Sequence, residues 1–91
     1  MRQRESKKAD LIFSLLAKEL KTEREKQQKS IRLLAYEFDI QKSLISRLEN
    51  GINEPKLISL WTLCEALNIK PSELLKRVEE DLPEDFSLIE K

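Results

Sequence analysis

Histidine is absent from the 91 residues, and glycine, cysteine, methionine, tryptophan and tyrosine occur once each. Each scarcity removes a class of chemistry. Without histidine there is no His-based catalytic triad. With Gly51 as the only glycine, no glycine-rich phosphate loop can be built. A lone Cys64 forms no internal disulfide, and no CxxC or Cys/His cluster is present to hold a structural metal, so no cofactor is expected. A reducing, cytoplasmic setting is the simplest one. Long apolar runs are missing too. LIFSLLA, preceded by Lys7 and Lys8, could pass for a signal peptide, but it is only about seven residues long, abuts Asp10 and runs into KELKTEREK. Nothing approaches the roughly 18 apolar residues of a membrane span, so no membrane partner is expected. No nucleophile-base pair or metal constellation can be assembled, and an enzyme is not expected.

What is present fits one small domain. Apolar residues at 40% suffice for a core, and charged residues at 37% leave a soluble exterior. The formal net charge is zero but unevenly spread: residues 1 to 47 hold 12 Lys and Arg against 7 Asp and Glu, residues 48 to 91 hold 5 against 10. A basic half can supply an electrostatic footprint for nucleic acid, while an acidic half limits non-specific sticking.

The apolar periodicity is helical throughout. Residues 1 to 8 (MRQRESKK) carry no pattern and are expected to be a mobile basic start. Ala9, Ile12, Phe13, Leu16 and Leu20 mark an amphipathic helix from about Ala9 to Lys26. Ser30 is a good N-cap for a second helix, IRLLAYEF, with Ile31, Leu34, Ala35 and Phe38 on one face. Asp39 tolerates a left-handed turn, after which IQKSLISRLENG forms a third helix ended by Asn50 and Gly51. A fourth, from Lys56 to Leu67, carries Leu57, Leu60, Leu63, Cys64 and Leu67 inward. Pro71 fits the first position of a fifth, in which Glu73 complements the dipole and Leu74, Leu75 and Val78 face the core. Leu60, Leu67 and Leu74 recur every seven residues, but Pro71 interrupts any zipper. The expected fold is all-α, five compact helices over residues 9 to 82, followed by a tail (83 to 91) with Phe86, Leu88 and Ile89 available for docking.

Two short helices joined by a tight turn make a helix-turn-helix, whose second helix can enter the DNA major groove. Leu44, Ile45 and Leu48 can fix its pose against Leu34, Ala35 and Phe38. Outward, Ser43 and Ser46 are small enough to let it sit deep. Lys42 and Arg47 can reach guanine O6 and N7, and the Gln41 amide suits adenine. Glu49 is the discordant residue, because an acid at the rim repels phosphate.

In the order LLAYEFDIQKSLISRLENGINEP, then LISLWTLCEALNIKPSELL, residues 10 to 76 resemble the lambda-repressor-like, XRE-type helix-turn-helix family. The resemblance implies that Glu49 pairs with Arg24 late in the first helix and turns away from DNA. It implies base reading by Gln41, Lys42, Ser43 and Arg47, with Ser46 close by. Phosphate contacts fall on Ser30, Asn50, Asn53 and Lys56. Many members carry glutamine where Ile31 stands, so part of that phosphate grip is missing here or replaced by Lys29 or Arg32, and glycine is common where Asp39 stands.

The remaining features have plain readings. Cys64 is expected as a small core residue and Trp61 as buried packing, with a partner contact as its alternative. EEDLPED reads as solvated surface, and Arg2, Arg4, Lys7 and Lys8 as a disordered start, with a minor-groove or phosphate-grasping arm as the alternative. The expected function is sequence-specific regulation on double-stranded DNA, as a homodimer on a two-fold operator, with dimer surfaces sought in helix five and the tail. The alternative is a protein-binding module, antitoxin or adaptor, that engages its partner through helix four or the C-terminal helix and tail.

Overall fold

The computed structural model describes residues 3–51 and 54–89, with side chains from Lys7 onward. Its five helices are α1 (Gln3–Lys26), α2 (Ile31–Phe38), α3 (Lys42–Asn50), α4 (Leu57–Ala66) and α5 (Pro71–Asp81), with no strand among the described residues. α1 starts at Gln3, ahead of the expected start at Ala9, so the described part of the basic start is helical. The run RESKKAD contains no glycine or proline, and a helix already nucleated on the core extends through such residues at little cost.

Three of the helix ends use the same device. Gln28, Asp39 and Asn68 take left-handed φ of 59°, 54° and 57°. In each case the next N–H turns back onto the helix: Lys29 on the Arg24 carbonyl, Ile40 on Ala35 and Ile69 on Cys64, at 3.3, 3.0 and 2.9 Å. The short polar side chains of Asp39 and Asn68 tolerate this conformation better than most, and with Gln28 they let a chain with one glycine make four tight ends. The fourth is Gly51, at φ 64°, and it needs to be glycine. A Cβ there would lie 2.9 Å from the Phe13 carbonyl oxygen and 3.1 Å from the Ala17 Cβ.

The core is one cluster that includes Leu16, Leu20, Leu34, Ile45, Leu48, Leu63, Leu67, Leu74 and Val78. α1 packs on α3 and α5, α2 on α3, and α4 on both α3 and α5. α3 is thereby held on three sides, with Ile45 fully buried. Cys64 is also fully enclosed, and burial pushes its thiol up to about 11. Buried side-chain polar atoms all have partners among the described residues.

Four apolar residues expected inside are not. Phe38, Leu57, Leu75 and Trp61 are 47%, 62%, 44% and 46% exposed. Phe38 ends α2 and lies under the Lys29 ammonium at 5.5 Å, a cation–π contact at the rim. Leu57 continues the Leu60, Leu63, Leu67 stripe but occupies the first turn of α4, past the helices that cover the rest. Leu75 and Trp61 each follow a buried leucine and are rotated by about 100° out of the core. Trp61 instead donates from Nε1 to Glu65 Oε2 at 3.2 Å on the outer face of α4.

Candidate nucleic-acid interface

α2 and α3 are joined by Asp39, Ile40 and Gln41, and the left-handed Asp39 makes the reversal. Ile40 tucks against the core, which fixes the turn from within. α3 then presents Gln41, Lys42, Ser43, Arg47 and Asn50 to solvent, with Ser46 half-buried and Leu44, Ile45 and Leu48 inward. Its nine residues span about 13 Å, matched to a major groove about 12 Å wide. Gln41 takes the N-cap backbone conformation without a side-chain capping bond, so its amide is uncommitted. Among the described residues neither Lys42 nor Arg47 joins an ion pair.

Glu49 behaves differently from its neighbours. Arg24 Nε donates to its Oε2 at 2.7 Å and Nη2 to its Oε1 at 2.9 Å, a bidentate pair whose side chains are 10% and 6% exposed. The third donor, Nη1, reaches the Lys29 carbonyl at 2.6 Å. One guanidinium therefore ties together the last turn of α1, the approach to α2 and the last turn of α3. The hydrogen bonds to Glu49 raise the Arg24 pKa and burial opposes them. The acid that α3 carries is neutralised and withdrawn from the outward face.

Along the α2 edge, Ser30 caps the helix by accepting from the Leu33 N–H at 3.0 Å. Its hydroxyl hydrogen stays free to donate, and the amides of Ile31 and Arg32 have no carbonyl partner within the helix. Ile31 is half-buried against the core and offers no grip. Lys29 is held by Glu37 at 2.8 Å, so of the two replacements the exposed Arg32 is the uncommitted one.

On the other edge, Arg47 lines a hollow between α3 and the start of α4 together with Leu44, Glu54, Pro55, Lys56 and Ser59. Arg47 and Lys56 are thus brought to one edge. Asn53 lies outside the described residues. Glu54 is the member that sequence reasoning passed over. An isolated acid in a loop gives no periodic signal, and its significance comes only from sharing a hollow with two cations.

The acidic residues Glu79, Glu80, Asp81, Glu84 and Asp85 are exposed at and beyond the end of α5, which packs on α1 and α4. A second cluster, between α1 and α5, is structural: Arg77 Nη1 lies 3.1 Å from Glu23 Oε1 and 3.9 Å from Glu19 Oε1. Among the described residues no helix is long and apolar enough to cross a membrane, and no group of metal-ligating side chains gathers.

A rigid two-helix unit with a tight turn, and a second helix whose outward face is small, polar and basic, define the class of helix-turn-helix DNA-binding domains. The chain belongs to the helix-turn-helix family of the XRE, lambda-repressor-like type, whose pattern it matches over residues 20–74, from the second half of α1 into α5. No curated protein and no solved structure matches it.

Proposed function

We propose that this chain is a sequence-specific transcriptional regulator that lays α3 in the major groove of an operator, and that it works as a homodimer on two half-sites about 34 Å apart. The observation that carries this reading is the division of labour on α3. Gln41, Lys42, Ser43 and Arg47 are exposed and uncommitted, while Glu49, the one acid on the helix, is sequestered by Arg24. Arg47 is assigned bidentate hydrogen bonding to guanine O6 and N7, Gln41 to adenine, and the half-buried Ser46 a close approach to the base edges. Ser30, Arg32, Asn50 and Lys56 take phosphates on the two flanks, and Asn53 joins them from the loop. Bound at a promoter, such a domain acts by blocking or recruiting polymerase.

Selection of bound sequences from randomised duplex DNA tests this. An enriched motif with a steep salt dependence is expected. Arg47→Ala should lose about 1–3 kcal/mol of discrimination at one base position. Lys56→Ala should weaken all sequences alike and flatten the salt slope by about one. No enrichment at any salt removes the regulator reading, and an unchanged motif in Arg47→Ala removes the assigned reading face. A second reading, as a protein-binding module, is favoured by one observation, the exposed apolar residues Leu57, Ile58 and Trp61 on α4.

A further inference from the structure

We propose that the Asn50–Gly51 peptide is a self-modification site, at which the chain loses ammonia and gains a carboxylate on the DNA-facing edge of α3. Its consequence for DNA rests on the reading of Asn50 as a phosphate contact given above. Asn50 is the last residue of α3, is exposed, and is the only asparagine followed by glycine. In the reaction the Gly51 backbone nitrogen gives up its proton to hydroxide and attacks Asn50 Cγ. The N–Cγ bond forms, the bond from Cγ to the side-chain nitrogen breaks, and that nitrogen takes up a proton and leaves as ammonia. Water then opens the five-membered imide. Attack at Cγ gives aspartate with the backbone restored, and attack at the main-chain carbonyl gives isoaspartate with the backbone routed through Cγ.

The fold concentrates the reaction at this bond. Ring closure needs an uncommitted N–H and an open approach, and Gly51 supplies both. Asp39 and Leu67 return their N–H groups to helix carbonyls, whereas Gly51 makes no such bond among the described residues. Having no side chain, Gly51 leaves its nitrogen unshielded. Packing keeps it glycine, because a Cβ would lie 2.9 Å from the Phe13 carbonyl oxygen. Asn68 is the internal contrast. It too stands at a helix end, but the β-branched Ile69 follows it and donates its N–H to the Cys64 carbonyl at 2.9 Å. The product is felt because of where Asn50 stands. A carboxylate in the last turn of α3 faces the negative end of the helix dipole. Arg24, which withdraws Glu49 from the outward face, is already committed to Glu49 and the Lys29 carbonyl. The new charge therefore stays beside the phosphates, and isoaspartate also adds a backbone methylene where Gly51 packs on Phe13 and Ala17.

The test holds the folded full chain at pH 8 and follows its mass and DNA binding over time. A gain of one mass unit should appear, tandem mass spectrometry should place it on Asn50 ahead of Asn53 and Asn68, and an isoaspartate-specific methyltransferase should label the product. Affinity for the selected DNA should fall in step. Asn50→Gln cannot close a five-membered ring, so it should gain no mass at this position and hold whatever affinity it starts with. Asn50→Asp, at an exposed position, should fold normally by urea unfolding. It should bind DNA about tenfold more weakly from the outset, with a salt slope flattened by about one. The proposal is overturned if Asn50 in the folded chain gains mass no faster than Asn68, if no isoaspartate forms, or if Asn50→Asp binds DNA as tightly as the unaltered chain. Its failure differs from that of the regulator reading. A fresh chain that enriches a motif while Asn50 stays intact sinks the modification site and spares DNA reading. A fresh chain that enriches no DNA ends the regulator reading and the DNA consequence together, and the mass gain still decides the chemistry.

Discussion

Replacing Arg24 with alanine removes one side chain and breaks three connections. Glu49, whose side chain is 6% exposed, loses both hydrogen bonds, and the Lys29 carbonyl loses its 2.6 Å donor. The gain in helix propensity from alanine is only about 0.2 kcal/mol. Stranding a buried carboxylate typically costs about 3–5 kcal/mol. The pair lies at a domain edge where water can partly reach Glu49 after the change, so about 2–4 kcal/mol is expected. A 91-residue domain has a total stability of about 5–14 kcal/mol, so this is a large share of it. At about 4–8 °C per kcal/mol the melting temperature should fall by roughly 10–25 °C.

Thermal and urea unfolding followed by circular dichroism measures the loss, and a double-mutant cycle built on Arg24→Met and Glu49→Met isolates the pair. The double variant Arg24→Met/Glu49→Met, which strands neither charge, should recover much of the stability. The coupling should exceed about 1.5 kcal/mol and persist in 0.5 M salt, because a buried pair is screened little. Since the Arg24 pKa is raised, the stability that its guanidinium contributes is lost as pH rises through the guanidinium range. A loss within about 0.5 kcal/mol, or a coupling at the level of an exposed pair, would refute the claim that this contact fixes α3 on α1.

Three further outcomes follow from the same geometry. Gly51→Ala combines a left-handed φ with a Cβ 2.9 Å from a backbone oxygen, and should lose about 1–3 kcal/mol in urea unfolding. Asp39→Gly relieves a left-handed non-glycine residue, so it should gain up to about 1 kcal/mol and also bind operator DNA more tightly at low salt. Cys64, with its thiol pushed up to about 11 inside the core, should resist thiol reagents at pH 8 and react only as the chain unfolds in urea.

The five helices were legible because their buried residues recur at three and four: Leu16 and Leu20, Ile45 and Leu48, Leu60, Leu63, Cys64 and Leu67, Leu74 and Val78. Such periodicity shows which side of a helix is apolar but not how far its neighbour extends. Phe38 and Leu57 are apolar residues at helix ends where cover runs out, and Leu75 and Trp61 stand one step around from the stripe. These four were misplaced for that reason, and three of them line a groove between α4 and α5. Site residues differ in the same way. That α3 has a polar side is local information, but the commitments of its charges are tertiary. Lys29 proves to be engaged by Glu37, Glu54 shares a hollow with Arg47, and Arg24 stands 25 residues from Glu49. Only the family resemblance connected that last pair in advance. The pair also resolves the objection that Glu49 raises against a DNA-reading α3: with the acid held by α1, the outward side of Lys42–Asn50 keeps two uncompensated cations and no free acid. The discordant residue thus becomes the clamp that fixes the pose of α3 against α1.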